Sequence, residues 1–225
     1  MATLSPPIEE VVTFNLGYLR IKRVLDILFT ILLFPFLCVV IAIVAVLIRI
    51  DSKGPIFFRQ TRVGQDGVEF ELLKFRSMHI NNDDSTHREA VKQYMNGHEL
   101  NGYSANGTLY KLVDDPRVTR VGRLIRKTSI DELPQFLNVL RGEMTMVGPR
   151  PPLPYEVEVY SPRDRLRLRG KPGLTGTWQV YGRSRVPFLQ MVDMDISYLQ
   201  QQSILLDIKL IVLTVPVMIM GRGGV

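Results

Sequence analysis

Apolar and polar positions are unevenly spread along the chain. From Ile27 to Ile48 no residue is charged, and Leu, Ile, Val and Phe dominate. A run of that length crosses a bilayer as a straight helix. It does not read as a signal peptide, because it starts late, Glu9 and Glu10 precede it, and no small-residue cleavage site follows. Pro35 lies inside the run, where it removes a backbone hydrogen bond and crowds the preceding turn. Membrane helices tolerate such a break. Both flanks are basic, with Arg20, Lys22 and Arg23 before the run and Arg49 and Lys53 after it. The positive-inside rule draws both ends to the cytoplasmic face. The pattern therefore predicts a re-entrant, monotopic helix bent near Pro35 ahead of a single span. The carbonyl freed near Ile31 needs a substitute donor, and the Thr30 hydroxyl is close in sequence.

The remaining pattern reads as a globular α+β unit. Ile56 to Arg62 and Val68 to Phe75 are rich in β-formers and are joined by Gly64-Gln65-Asp66-Gly67, which predicts a hairpin. Ile80 to Tyr110 is polar and predicts a helix plus a loop. Leu133, Phe136, Leu137 and Leu140 recur at helical spacing, with Gly142 as the C-cap. Gly148 to Pro154 is proline-rich and must be extended or turning. Pro187 to Gln202 has helical spacing. Ile204 to Met220 is apolar apart from Asp207 and Lys209, carries Pro216, and is expected along the membrane surface. The predicted fold is α+β and mainly helical: a re-entrant membrane helix, a small β-hairpin and interfacial amphipathic helices. Its expected organisation is an N-terminal segment (1–19), the membrane helix (20–53) and a cytoplasmic-face domain (54–225) that forms one structural unit with that helix. No internal repeat or low-complexity tract is present.

Composition narrows the class. The 225 residues are 46% hydrophobic and 22% charged, too ordinary for a disordered chain. A mean hydropathy of +0.09 averages one membrane segment with a polar unit. Cys38 is the only cysteine, which excludes an internal disulfide framework and a multi-cysteine zinc site. The net charge of +6 asks for acidic partners. No helix-turn-helix or RNA-binding motif accompanies it, so nucleic acid is not implied.

Three features carry candidate chemistry. Asp131-Glu132 lies where basic sequence (Arg123, Arg126, Lys127) gives way to the amphipathic helix. Ser129-x-x-Glu132 also reads as a capping box, and acidic residues suit any first helical turn. Pro134 is tolerated in that turn. In the functional alternative, the helix start and the arginines form a phosphate site. One carboxylate there attacks phosphorus and the other holds a divalent cation. The second feature is the ladder Arg117, Arg120, Arg123 and Arg126, either a solvated basic face or a stripe aimed at phosphates beside a membrane. The third is Arg150, held between Pro149 and Pro151, either an incidental surface turn or a preorganised guanidinium suited to bidentate phosphate binding. His79, His87 and His98 lack metal-ligand spacing. Gly64-x-x-Gly67 is no P-loop, because no Gly-Lys-Ser/Thr follows.

Ordered blocks then carry a resemblance. Lys22-Arg23-x-x-Asp26 precedes the apolar run, and Gly54-Pro55-Ile56-Phe57-Phe58-Arg59-Gln60-x-Arg62-Val63-Gly64 follows it. Lys74-Phe75-Arg76-Ser77-Met78, Asp115-Pro116-Arg117-Val118-Thr119-Arg120-Val121-Gly122 and Ser129-Ile130-Asp131-Glu132-Leu133-Pro134-Gln135 come next. Asn138-Val139-Leu140-x-Gly142-x-Met144, Val147-Gly148-Pro149-Arg150-Pro151, Lys171-Pro172-Gly173-Leu174-Thr175-Gly176 and Trp178-Gln179-Val180-x-Gly182-Arg183 complete the set. The chain resembles the bacterial sugar transferases, the monotopic phosphoglycosyl transferases, from about Lys22 to the C-terminal helix, with a break at Ile80 to Tyr110.

The resemblance implies transfer of a sugar 1-phosphate from a UDP-sugar to undecaprenyl phosphate, with release of UMP, as the first step of a surface glycan of exopolysaccharide or O-antigen type. It implies Asp131 as nucleophile with Glu132 beside it, and Mg²⁺ held by the pair. Arg150, Arg126, Lys74, Arg76, Pro149 and Pro151 are implied around the phosphates and nucleotide. Residence in the bacterial inner membrane, among its lipids and with the catalytic part on the cytoplasmic face, follows from the same likeness. It also implies the compact form of the family, with no large membrane domain ahead of the catalytic part, and leaves homo-oligomerisation open. The family's helix break is often Ser-Pro; here it is Phe34-Pro35, so the hydroxyl beside the break is missing. The alternatives are a non-catalytic membrane-anchored scaffold of the same fold and a bitopic interaction protein.

Overall fold

The computed structural model describes residues 12, 14–80, 95, 115–182 and 186–219. The polar stretch expected as helix plus loop falls almost wholly outside them, as do His87, His98 and Arg183.

Helix α1 runs from Leu16 to Asp51 with Pro35 inside it, and Asn15 caps it by accepting from the Tyr18 N–H at 3.1 Å. It is the one helix among the described residues long and apolar enough to cross a membrane. Its buried positions, Lys22, Asp26, Thr30, Leu37, Val44 and Ile48, form a single stripe at helical spacing. The rest of its middle faces outward: Leu32 is 76% exposed and Phe36 65%. So much apolar surface on one helix calls for an apolar medium, which marks the chain as membrane-associated. The Thr30 hydroxyl does not serve the carbonyl near Ile31. It donates to Asp26 O at 2.8 Å, the back-bond to residue i−4 that a helical threonine makes most readily.

Both ends of α1 dock on the globular part. Near the start, Lys22 Nζ lies 2.5 Å from Asp207 Oδ2, and Asp26 accepts from the Thr145 hydroxyl at 2.5 Å. Near the end, Val44 and Ile48 pack with Phe75 and Ile125, and Asp51 Oδ2 accepts from the Val121 N–H at 3.0 Å.

The predicted hairpin is present. Strands β1 (Phe57–Val63) and β2 (Glu69–Phe75) pair antiparallel from Phe57↔Phe75 to Val63↔Glu69. Asp66 and Gly67 take positive φ of 54° and 85° in the turn, which explains the Asp-Gly sequence there. Helix α2 (Arg120–Lys127) is capped by Thr119, whose hydroxyl accepts from the Gly122 N–H at 2.9 Å. A 3-10 turn, Ile130–Gln135, leads into α3 (Phe136–Arg141), which ends on Gly142 at φ 82°. The structure adds a pairing the sequence pattern did not show. Strands β3 (Thr145–Val147) and β4 (Gly173–Thr175) run parallel, with Thr145 opposite Gly173. Gly148 and Gly173 make that crossing: a Cβ on Gly173 would lie 2.0 Å from Gly148 N.

The expected apolar face of α3 is rotated. Phe136 is buried, but Leu137 is exposed, while Asn138 and Val139 are completely buried. The 3-10 turn ahead of α3 shifts its phase relative to an unbroken helix. Asn138 then acts as a partner for β2, accepting from Leu73 N–H at 3.1 Å and donating to Glu71 O at 2.7 Å. Leaving such groups unpaired costs about 1–3 kcal/mol each.

Short helix α4 (Pro154–Glu158) follows the proline-rich segment, and α5 (Phe188–Gln201) and α6 (Ile204–Ile219) complete the chain. On α6, Leu205, Ile208, Val212 and Val215 point outward, while Leu210 is fully buried. Asp207 is no interruption of that helix. It is buried, pairs with Lys22, and accepts from the hydroxyls of Tyr198 (2.6 Å) and Tyr18 (2.8 Å). One core joins Leu37 of α1 to Leu72, Phe136, Val139, Met144, Val147, Leu199 and Leu210, so the membrane-associated helix and the globular part share their packing.

Candidate active site

The carboxylate pair sits on the 3-10 turn, not at the start of a regular helix. Ser129 takes a left-handed conformation (φ 56°), and its side chain caps nothing. Glu132 instead reaches Lys74 on β2, with Oε1 2.7 Å from Nζ. The capping-box reading is therefore corrected: the left-handed Ser129 makes no side-chain cap bond, and the Glu132 carboxylate is engaged by Lys74. Since α3 begins only at Phe136, the helix end adds little to the field, and side-chain cations supply it.

A cavity of about 1470 Å³ opens beside this turn. Asp131, Glu132, Lys74, Arg76, Arg126, Arg150 and Pro151 all line it, so most of the site residues read from the sequence come together. Pro149 stands behind the wall, buried, its carbonyl accepting from Gly173 N–H at 2.9 Å. Arg76 lines the cavity, but its guanidinium is tied to the end of α1, donating to Ser52 O (2.8 Å), Ser52 Oγ (2.7 Å) and Lys53 O (2.8 Å). Arg126 is the more available cation. Its Nη1 is buried with no hydrogen-bond partner among the described residues. Arg150 lies over the Trp178 ring, 5.9 Å from the centroid, and Pro35 on the exposed face of α1 lies apart from the cavity wall. Apolar side chains also line the cavity, among them Phe29, Leu33 and Leu37 of α1 and Ile211, Val215 and Met218 of α6.

The arginine ladder does not form one stripe, because α2 begins only at Arg120. Arg117 forks onto Asp115, with Nε 2.9 Å from Oδ1 and Nη2 2.8 Å from Oδ2, and that bonding lowers the Asp115 carboxyl. Arg120 and Arg123 face outward, and only Arg126 and Arg117 reach the cavity.

Asp131 and Glu132 fit a Mg²⁺ that takes most of its ligands elsewhere. No group of three metal-ligating side chains occurs among the described residues. Mg²⁺ commonly takes one or two carboxylates from the protein and completes its shell with substrate phosphates and water. One Glu132 oxygen already faces Lys74, so the other Glu132 oxygen and Asp131 are what the pair would offer such an ion.

Sequence reasoning passed over the residues that build the wall behind Arg150. Arg62 is 4% exposed and donates to Gln60 Oε1 from Nε (3.1 Å) and Nη2 (2.7 Å), and to Pro151 O from Nη1 (2.9 Å). Burial, with Arg150 adding its charge, brings this guanidinium down to about 10. Arg167 is buried against Asp195, donates to Tyr160 OH at 2.9 Å and reaches Arg150 O at 3.2 Å. One signal was readable. Met191, Val192, Asp195, Ile196 and Leu199 lie on a single face of α5, and a carboxylate on an apolar face needs a buried partner.

Known proteins resemble the chain along most of its length. The profile described as "Bacterial sugar transferase" matches residues 17–221. The chain is 43% identical over 213 residues to a galactosyl transferase, CpsE, of Streptococcus agalactiae, covering 94% of this chain and 45% of that protein. It is 40% identical over 203 residues to the exopolysaccharide production protein ExoY of Sinorhizobium fredii, covering 90% of this chain and 87% of that one. A UDP-glucose:undecaprenyl-phosphate glucose-1-phosphate transferase of Caulobacter vibrioides is also 40% identical over 203 residues, with 87% of this chain and 68% of that protein covered. The chain thus spans less than half of the Streptococcus relative and most of the Sinorhizobium one. This chain belongs to the bacterial sugar transferase family.

Proposed function

We propose that the protein is a phosphoglycosyl transferase that moves a sugar 1-phosphate from a UDP-sugar to undecaprenyl phosphate and releases UMP, initiating a surface glycan. The observation that carries this reading is the cavity. Its lining combines a carboxylate pair and several cations with apolar side chains of α1 and α6. A nucleotide diphosphate suits the charged part of the lining, and the hydrocarbon of a lipid phosphate suits the apolar part.

An Asp131 carboxylate oxygen attacks the β-phosphorus of the UDP-sugar. The bond from that phosphorus to the bridging oxygen breaks, and UMP leaves with the electron pair. The phosphosugar is then held as an acyl phosphate on Asp131. A phosphate oxygen of undecaprenyl phosphate attacks the same phosphorus and returns the carboxylate. No general base is needed, because a carboxylate is a nucleophile in its usual ionised form. Arg150 and Arg126 offset the charge of the diphosphate, and Lys74 adds a third cation beside Glu132. Mg²⁺, when held by Asp131 and Glu132 together with the diphosphate, supplies further charge screening.

The re-entrant reading of α1 belongs to the same proposal. Its support is that Lys22 and Asp51, toward opposite ends of the helix, are both fastened to the same globular part. With that part on the cytoplasmic face of the inner membrane, a soluble nucleotide sugar and a bilayer lipid meet in one cavity.

Names of relatives include galactosyl and glucose 1-phosphate transferases, so a donor panel begins with UDP-galactose and UDP-glucose. UMP release with undecaprenyl phosphate in vesicles tests the reaction. Incubation with radiolabelled UDP-sugar and no acceptor tests the intermediate: label should stay on the denatured protein. Turnover without retained label would favour direct transfer in a ternary complex.

A further inference from the structure

Four consecutive carbonyls around Arg150 each accept a hydrogen bond, from donors on three separate segments of the chain. Pro149 O accepts from Gly173 N–H at 2.9 Å, and Arg150 O from Arg167 Nη2 at 3.2 Å. Pro151 O accepts from Arg62 Nη1 at 2.9 Å, and Pro152 O from Val63 N–H at 2.9 Å. Two of the four donors are buried guanidinium groups. That choice is costly, because a buried cation needs strong compensation. Arg167 has Asp195 for it. The hydrogen bonds of Arg62 go to Gln60 and to a backbone carbonyl, both neutral, and it has no ion-pair partner among the described residues. A structural clip alone would be built more cheaply from amides. Here the same wall carries Arg62 and Arg150 side by side, a concentration of positive charge facing the cavity.

We propose that Arg62 and the buried Arg167–Asp195 pair are positioning residues for Arg150: by fixing the carbonyls of residues 150 and 151 they hold the Arg150 guanidinium in the one orientation that meets the diphosphate, and Arg62 adds its charge from behind. This rests on the reading of Arg150 as a diphosphate ligand. Prolines on both sides limit the loop's own freedom, and the clamp removes what remains. The Trp178 ring fixes the guanidinium from the side.

The test is a mutant cycle on the full chain in vesicles, reading kcat and KM for UMP release. Arg62→Lys keeps a cation but cannot reach Gln60 and Pro151 together. Asp195→Asn keeps the shape of the partner and removes its charge. Alone, each should raise KM for the UDP-sugar and lower kcat/KM about 10- to 100-fold, the scale of a small misplacement of a catalytic group. In an Arg150→Ala background each should cost no more than about twofold, because the group they position is gone. Equal losses in the two backgrounds, or no loss in either, would overturn the proposal. A thermal melt accompanies each variant; if Arg62→Lys does not fold, the Asp195→Asn arm decides. If wild type releases no UMP from any donor while folded, the transferase reading itself falls, and this inference with it. Normal wild-type turnover with additive variants removes this inference alone.

Discussion

The cavity has two walls of opposite construction. On one, Asp131 and Glu132 stand on a six-residue 3-10 turn, and the Lys74–Glu132 pair is partly open, with side-chain exposures of 21% and 37%. On the other, Arg150 stands on a loop whose carbonyls are all occupied and whose supporting pair, Arg167–Asp195, is sealed from water. The difference suits the two tasks proposed for these walls. The nucleophile proposed for Asp131 forms one bond to phosphorus and breaks it again in each cycle, and needs freedom to move with it. A group that only recognises charge gains from being fixed beforehand.

The largest expected effect is on the open wall. Asp131→Asn keeps the volume of the side chain and removes its nucleophilicity. UMP release should fall on the order of 10³-fold or more, as for other lost nucleophiles, with retention of label lost as well. The melting temperature should stay close to wild type, since the turn is short and half-exposed. A large drop in melting temperature would mean that the carboxylate wall is structural and would erase the contrast.

The sealed wall predicts the reverse. Arg167→Met leaves Asp195 buried without its cation, and breaking one side of a buried pair costs about 3–5 kcal/mol. A denaturant melt measures that loss, and it should appear at neutral pH without any substrate. A loss below about 1 kcal/mol would show that water reaches Asp195 and that the wall is not sealed.

The contrast also explains what could be read from the sequence. The long apolar run, the Gly64-to-Gly67 turn and the Gly142 cap were legible because each signal is local. The β3–β4 pairing was not: each strand has three residues, and Thr145 meets Gly173 across a long connection. Asp207 looked like a flaw in an apolar helix until the fold brought Lys22 to it. The phase of α3 was misread because a helical wheel assumes one period, and the 3-10 turn through Pro134 breaks it. That Asp131, Glu132, Arg126 and Arg150 would come together along one cavity was legible, because those residues have distinctive neighbours in the sequence. The supporting side of the cavity was illegible because Arg62 and Arg167 differ from surface arginines only in what the fold packs around them.

A titration sharpens the sealed wall further. Burial pushes the Asp195 carboxyl up to about 6, while the Arg167 charge pulls it the other way. In the unfolded chain an Asp titrates near 4. Between about pH 4 and pH 6 the folded protein therefore holds a proton that the unfolded chain has lost. Stability contributed by this group is full at the acid end of that window and declines as pH rises through it. Unfolding free energy measured across the window should show that falling component in wild type, about 1.4 kcal/mol for each unit of difference. Asp195→Asn should remove it. The same slope in both proteins would place the titration on another carboxyl.

The smallest expected effect tests the open wall from its cation. Lys74 and Glu132 meet at 2.7 Å but are partly in water, where such a pair is worth about 0–1 kcal/mol. Lys74→Met should therefore leave the melting temperature almost unchanged. Its consequence is chemical. Without the ammonium, Glu132 has an oxygen to give to Mg²⁺, and the diphosphate loses one cation. The Mg²⁺ concentration for half-maximal UMP release should fall severalfold while KM for the UDP-sugar rises. If the Mg²⁺ requirement does not move, Glu132 is no ligand of the ion, and its part in the site is to hold Lys74 toward the phosphates. If the melting temperature falls steeply instead, the pair is buried in solution and the two walls are built alike.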